Sequence, residues 1–356
     1  MKIGIFDPYL DTLGGGEKYM LTAASCLAMD HQVFVLWDKD KNILRKAEKR
    51  FSINLKKVSL FENIFKHKNF CKRFLQSKKF DAILFLSDGS IPFISCKLFI
   101  HLQFPIEWVN SNGFWQNTKL KRIHKVICNS TFTKDFVDKK LGTKSIVLYP
   151  PSSVLFKNSK ITKENIILTV GRFGLLPDGG YFKKQDFMIK VFKKMVDGGF
   201  KDWKLVIVIS YIEKYKEELD RLKSQAFKYP IEFVENSSWE DLSKIYLKSK
   251  IYWHASGFGE DLKKNPERAE HFGISTVEAM SAKVVPIVIN AGGQKEIVDV
   301  GKNGFLWETE KDLIDKTLSI VNDENLRKKL SIEANKKAIN FSNEKFCKKI
   351  REIFKK

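Results

Sequence analysis

Apolar and polar positions along the chain alternate between two regimes. Short, nearly continuous apolar runs occur at Ile3–Phe6, Gln32–Leu36, Ala82–Leu86, Leu98–Leu102, Lys125–Asn129 and Ser145–Leu148. They recur at Asn165–Val170, Leu205–Ser210, Ile231–Val234, Lys250–His254, Val284–Asn290 and Gly304–Trp307. Runs of this length, rich in β-branched residues, predict strands buried on both faces of a parallel sheet. The stretches between them carry apolar residues at helical spacing, as in residues 17–29 with Tyr19, Met20, Ala23, Ala24 and Leu27. Residues 41–80 predict a basic helical region, and residues 311–356 a set of helices with a lysine-rich outer face. Strand, loop and helix therefore repeat in two series, which predicts an α/β protein with two doubly wound domains. Pro150 and Pro151 stiffen the link between them. The boundary is placed near residue 156, giving domains at 1–155 and 156–340 and a final helix at 341–356.

The densest chemistry lies in Ala269–Gly293, AEHFGISTVEAMSAKVVPIVINAGG. Glu270 and Glu278 flank Phe272, Gly273 and Ile274, and Gly273–Ala282 predicts a helix. A loop that enters a helix through Phe-Gly exposes unpaired N–H groups and a positive dipole end, which suits a phosphate or a sugar oxygen. Glu278, a turn inside, can accept hydrogen bonds from sugar hydroxyls. Ala291-Gly292-Gly293 follows a strand directly, where open α/β sheets bind ligands. Two further loops leave strand ends. Gly14-Gly15-Gly16 joins the first strand to the first helix, and Gly171-Arg172 leads through Pro177, Asp178, Gly179 and Gly180 to Lys183-Lys184-Gln185-Asp186. An arginine fork and a lysine point charge suit a pyrophosphate. His101 closes another strand, where it can donate to a phosphate or a hydroxyl. Trp108, Asn110, Asn112 and Trp115 follow, side chains suited to sugars as well as to an ordinary loop.

EHFGISTVEAM, a strand and AGGQKEIV resemble the donor-site signature of the family-4 retaining glycosyltransferases, and EHFG is similar to their dolichol-linked mannosyltransferases. Gly171-Arg172 with Lys183 resembles that family's GR…KGxD pattern, with Lys184 in the place of its glycine. The resemblance implies a GT-B fold, two Rossmann-like doubly wound domains facing across a cleft. It implies transfer of a sugar from a nucleoside-diphosphate sugar, GDP-mannose or a UDP-sugar, to a hydroxyl of a glycan or lipid-linked acceptor. Glu278 would bind the ribose, and Glu270 would lie by the transferring sugar with His101 as the second catalytic residue. Phe272, Gly273, Ile274, Gly15, Gly16, Arg172 and Lys183 would hold the donor. The two cations would take a metal's role, so no metal or cofactor is expected, the nucleotide sugar being a substrate.

Composition adds partners and compartment. The 356 residues are 43% hydrophobic, enough for two cores, and carry a formal charge of +21. Such a surplus points to anionic partners: phosphorylated substrates, an anionic membrane surface or nucleic acid. A nucleic-acid-binding protein therefore stands as an alternative reading, as does an epimerase or phosphorylase on the same fold. Neither zinc spacing nor an RNP-type motif supports nucleic acid. Lysines and phenylalanines interleave between Lys56 and Lys79, among them Phe61, Phe65, Phe70 and Phe74, which suits a membrane surface. Cys26, Cys71, Cys96, Cys128 and Cys347 lack metal or CxxC spacing and read as reduced. No apolar run is long enough to span a bilayer. The expectation is a cytoplasmic protein, peripheral on the cytoplasmic face of the membrane.

Overall fold

A computed structural model of the chain describes residues 1–67, 69–106, 114–152 and 161–355, with backbone alone at 114–117. Trp108, Asn110, Asn112, the side chain of Trp115, Lys68 and the boundary near residue 156 lie outside the described residues. The chain forms two compact units, Met1–Pro151 with Asn343–Lys356, and Ser152–Ser342. Both are Rossmann-like, doubly wound α/β folds, as the alternation of apolar runs and helical stretches requires.

Unit 1 has strands β1 (Lys2–Phe6), β2 (Gln32–Leu36), β3 (Val58–Phe61), β4 (Ala82–Leu86), β5 (Lys97–Leu102), β6 (Ile123–Cys128) and β7 (Ile146–Val147). They form one sheet in the order β3-β2-β1-β4-β5-β6-β7, every pairing parallel. Helices α1 (Gly15–Leu27), α2 (Ile43–Phe51), α3 (Phe70–Ser77), α4 (Phe114–Lys121) and α5 (Thr131–Leu141) connect them. Side chains alternate across the sheet. Ile3, Ile5, Leu84, Leu86 and Phe99 enter the core shared with α1, while Phe6, Ile83, Phe85 and Ile100 face the core that holds Val137 of α5.

Unit 2 has strands β8 (Ile166–Arg172), β9 (Lys204–Ser210), β10 (Ile231–Glu235), β11 (Ile251–His254), β12 (Val285–Ile289) and β13 (Phe305–Trp307). Their order is β10-β9-β8-β11-β12-β13, again all parallel. The helices are α6 (Gln185–Asp197), α7 (Lys216–Gln225), α8 (Trp239–Lys248), α9 (Ile274–Ser281), α10 (Gln294–Ile297), α11 (Glu310–Asn322) and α12 (Glu324–Ala338). In each sheet the strand order reverses beside the first strand, between β1 and β4 and between β8 and β11. The carboxyl ends of strands at such a reversal leave a crevice for ligands.

Helix α13 (Asn343–Lys355) returns to unit 1 and packs on α1. Phe346 meets Tyr19 edge-on at 4.9 Å, Phe354 stacks on Phe99 at 4.0 Å, and Arg351 forks onto Asp30 at 2.6 and 2.9 Å.

Two expectations are corrected. Residues 41–80 are not helical throughout, because KVSLF at 57–61 supplies β3 at the sheet edge. A four-residue edge strand preceded by two lysines is too short to set its own periodicity. Cys26 and Cys347 are not both reduced thiols; they form a disulfide between α1 and α13 across 321 residues of sequence. The packing of α13 on α1 brings the two sulfurs together, which spacing alone does not reveal. Cys71, Cys96 and Cys128 are free.

Candidate functional site

The crevice of unit 2 is built from three strand ends. Strand β8 ends in Gly171 and Arg172, and Arg172 is exposed. Gly171 has no side chain because Lys183 lies over it: a Cβ there would sit 3.1 Å from Lys183 Cγ. Strand β11 ends in His254, which is 3% exposed. The loop after β11 carries Glu270 back to both. Lys183 Nζ donates to Glu270 Oε2 at 2.6 Å, and His254 Nε2 lies 2.8 Å from the same oxygen. Burial opposes the Glu270 carboxylate, but Lys183 and His254 together outweigh it and hold Glu270 well below the usual carboxylate range. Burial also pushes His254 down, so its neutral ring donates through Nε2. Its Nδ1 is then a buried lone pair with no partner. His254 escaped the sequence reading. Its one signal was position, a histidine closing a parallel strand, the feature that drew attention to His101.

Backbone contact fixes Glu270. Gly293 N–H donates to Glu270 O at 2.8 Å. A Cβ at Gly292 would lie 2.2 Å from Glu270 O, and one at Gly293 2.4 Å from His271 O and 2.5 Å from Phe272 Cα. Both glycines are thus required by close approach of the Glu270 loop to the loop after β12. Phe272 is buried against Phe341 at 5.3 Å. Gly273, at φ +116°, turns the chain into α9, whose first residue is Ile274. A Cβ at Gly273 would lie 2.7 Å from Gln294 Nε2, and neither polar atom of the buried Gln294 amide has a partner. Glu278, one turn into α9, is 6% exposed and accepts the Tyr246 hydroxyl at 3.2 Å.

Around Lys183 and Glu270 runs a chain of ion pairs. Lys184 pairs with Glu260, whose other oxygen receives Arg268 at 2.6 Å, and Arg268 also reaches Asp178 at 2.6 Å. Lys184 has φ +54°, the left-handed region that favours glycine. The sequence pattern placed a glycine of the resembled family at this position, and here a lysine anchored by Glu260 adopts the same backbone. The long polar loop of residues 256–270 is tied down by this network.

Gly15, Gly16 and His101 belong to unit 1. His101 is fully buried and stacks on Tyr19 with ring centroids 3.9 Å apart. Burial pushes it down to about 3, so the ring is neutral. Its Nδ1 lies 3.1 Å from the carbonyl of Ile127, which makes Nδ1 the protonated nitrogen and Nε2 a lone pair. His101 therefore presents an acceptor, not the donor expected from sequence. The start of α1 is already occupied: Glu17 accepts the Gly14 N–H and the Thr12 hydroxyl. Beside it Asp7, 2% exposed, closes β1.

Burial first, then the charge of Glu17, pushes the Asp7 carboxyl up to about 7, against the opposing Tyr9 N–H. The native state therefore keeps a proton that the unfolded chain releases near its ordinary value of about 3.9. Stability from this group is complete below pH ~4 and is lost as pH rises through about 7. Between pH 5 and 8 the wild type should lose on the order of 1–3 kcal/mol relative to Asp7→Asn. Denaturant titrations of both proteins check this; a gap independent of pH rejects it.

The family model described as "Glycosyl transferases group 1" matches residues 153–337, which contain the whole unit 2 site. The chain is 28% identical over 234 residues to an uncharacterized glycosyltransferase of Methanocaldococcus jannaschii, covering 65% of this chain and 59% of that protein, so it spans less than two thirds of that relative. It is 24% identical over 347 residues to an alpha-1,3/1,6-mannosyltransferase of Dictyostelium discoideum, covering 80% of this chain and 77% of that one. In fold it is similar to Anabaena HepE, crystallised with UDP, at a TM-score of 0.73 and 17% identity over the full length of both chains. The fold class is GT-B, and the chain belongs to the glycosyl transferases group 1 family.

Proposed function

We propose that the protein is a retaining glycosyltransferase that moves a hexose from a nucleoside-diphosphate sugar, GDP-mannose or a UDP-sugar, to a hydroxyl of a glycan or lipid-linked acceptor. The observation that carries this reading is the convergence of Lys183, His254 and Glu270 beside the exposed Arg172 at the strand-order reversal of unit 2. A diphosphate needs cations, and Arg172 and Lys183 supply them. A sugar at the reacting centre needs a fixed anion, and Glu270 is held ionised. The N–H groups opening α9 at Gly273 and Ile274 add donors, and Glu278 takes the ribose hydroxyls. In the reaction the bond from the anomeric carbon to the leaving phosphate breaks while the acceptor oxygen bonds to the same face. The departing phosphate takes the acceptor's proton, and Glu270 stabilises the positive charge that develops on the sugar. Dictyostelium and Anabaena relatives, named for mannosyl transfer and crystallised with UDP respectively, support the donor class.

Isothermal titration with UDP and GDP tests the reading. Arg172→Ala and Lys183→Ala should each weaken the preferred diphosphate by about 1.5–3 kcal/mol, the usual loss for a charged hydrogen bond. Because these cations offset the leaving charge, sugar transfer should persist in EDTA. Unchanged affinity in both variants, or strict dependence on added magnesium, rejects the assignment.

The partner surface we propose is an anionic bilayer meeting α3. Phe61 and Phe65 are spoken for: Phe61 packs on Phe80 at 5.2 Å and Phe65 on Phe6 at 4.5 Å. Lys66 is paired with Asp38 and Glu62. On α3, by contrast, Phe70 is 46% and Leu75 59% exposed, beside exposed Lys72, Lys78 and Lys79. Among the described residues no helix is long and apolar enough to cross a membrane. Each lysine near an anionic surface contributes about 1 kcal/mol, screened by salt. Lys72→Glu with Lys78→Glu and Lys79→Glu should abolish co-sedimentation with phosphatidylserine vesicles at low salt. Equal recovery of wild type with neutral and anionic vesicles sinks this partner. Nucleic acid is not part of the proposal.

A further inference from the structure

Between the two proposed diphosphate cations the chain makes a hairpin. Arg172 ends β8, and Lys183 stands just before the cap of α6. From Gly174 to Phe182 the backbone folds back on itself. Leu175 bridges Tyr181 antiparallel, Leu176 N–H donates to Gly180 O at 2.7 Å, and Phe182 N–H donates to Gly174 O at 3.1 Å. Arg172 is therefore at the entry of the hairpin and Lys183 at its exit. A short two-stranded ribbon has little stability of its own, so its course depends on what holds it from outside. The entry is held by Phe173, which is buried, and the flank by Tyr181, whose hydroxyl donates to Glu218 at 2.6 Å.

The tip and the exit share one anchor, Glu260. At the exit, Lys184 takes left-handed backbone at φ +54° and turns the chain into α6. A residue with a Cβ is disfavoured there, and the Lys184 ammonium is bound to Glu260 Oε1. At the tip, Asp178 Oδ2 accepts Arg268 Nη1–H at 2.6 Å, and the same nitrogen lies 2.6 Å from Glu260 Oε2. The Glu260 side chain is 10% exposed and that of Lys184 15%, so salt and water screen this contact far less than a surface ion pair. Glu260 stands outside the contact among Lys183, His254 and Glu270. Yet Lys184 adjoins Lys183, and Arg268 lies two residues from Glu270.

We propose that Glu260 is a positioning residue for sugar transfer: through Lys184 it holds the left-handed turn that aims Lys183 at Glu270, and through Arg268 it fixes the hairpin tip to the loop that carries Glu270. The inference rests on the glycosyltransferase reading and deepens it, since Glu260 acts on the diphosphate and sugar contacts without touching either ligand.

The test uses the full chain. Its readouts are turnover of UDP-glucose or GDP-mannose and calorimetry with UDP and GDP, with thermal melts to establish folding. Glu260→Ala should lower kcat by about tenfold or more and diphosphate affinity by about threefold or more. Glycine adopts the left-handed turn without an anchor, so adding Lys184→Gly to Glu260→Ala should restore kcat to within about threefold of wild type. Adding Lys184→Ala instead removes the same charge but keeps a Cβ, and should restore nothing. Where Glu260→Ala does not fold, the single variants decide: Lys184→Ala should lose about fivefold more turnover than Lys184→Gly. A folded Glu260→Ala with wild-type kcat and affinity, equal rescue by glycine and alanine, or rescue by neither overturns this inference alone. Equal turnover of the two single variants does the same. Failure of wild type to bind either diphosphate overturns the reading beneath it.

Discussion

Replacing Glu270 by glutamine should lower sugar transfer about 100-fold or more while leaving nucleoside-diphosphate affinity unchanged or tighter. The carboxylate is the common acceptor of Lys183 and His254, and it is held ionised by them. Glutamine keeps its shape but removes the charge that would meet a developing cation on the sugar. Loss of one such electrostatic contact at a reacting centre is worth about 10²–10³ in turnover. The same change frees Lys183 from its counter-ion, and a freer ammonium binds a diphosphate at least as well. Steady-state transfer from UDP-glucose or GDP-mannose, whichever is consumed, gives the first quantity and calorimetry the second. Equal losses in turnover and in affinity would place Glu270 on the nucleotide, not on the sugar.

A larger structural effect is expected from Gly293→Ala. The added methyl would lie 2.4 Å from His271 O and 2.5 Å from Phe272 Cα, and both obstacles are backbone. No rotamer change relieves such a contact, so the loop bearing Glu270 must move. Overpacking of this kind costs about 1–3 kcal/mol or more in stability. A displacement of the order of 1 Å at a reacting group costs about 100-fold in rate. Gly301→Ala is the control. It lies at positive φ, +73°, where Gly293 has φ −70°, and a Cβ there meets nothing within 4 Å, so it bears backbone strain without a clash. A Gly293→Ala protein with wild-type melting temperature and turnover would show that the two loops do not constrain each other.

What could be read from the chain depended on the range of the interaction involved. Strands such as Gln32–Leu36 and Leu205–Ser210 stand where their apolar runs placed them, because burial on both faces leaves its mark in consecutive residues. The helix after Gly273 and the strand after it were equally legible, since glycine, helix formers and a β-branched run follow one another. Contacts closed by folding were not. His254 meets Glu270 at a sequence separation of 16, and Arg268 reaches Asp178 at a separation of 90. Neither leaves a periodic trace. The orientation of His101 was also hidden, because its proton position is set by the carbonyl of Ile127 on the neighbouring strand. Lys184 lies between these cases. A glycine in the resembled family hinted at a left-handed backbone, and the anchoring carboxylate of Glu260 needed the fold to be seen.

Helix α13 gives the two units different histories on the ribosome. Unit 2 is continuous in sequence, from Ser152 to Ser342, so all its strands have been made before α13 begins. Unit 1 starts first, yet Phe346, Ile350, Ile353 and Phe354 belong to its core. During translation its α1 face therefore stays uncovered, with Tyr19 and Phe99 lacking their aromatic partners, until after residue 342 has been added. The half of the chain synthesised first is the half that finishes folding last, and nascent unit 1 is the part that a chaperone would need to shield.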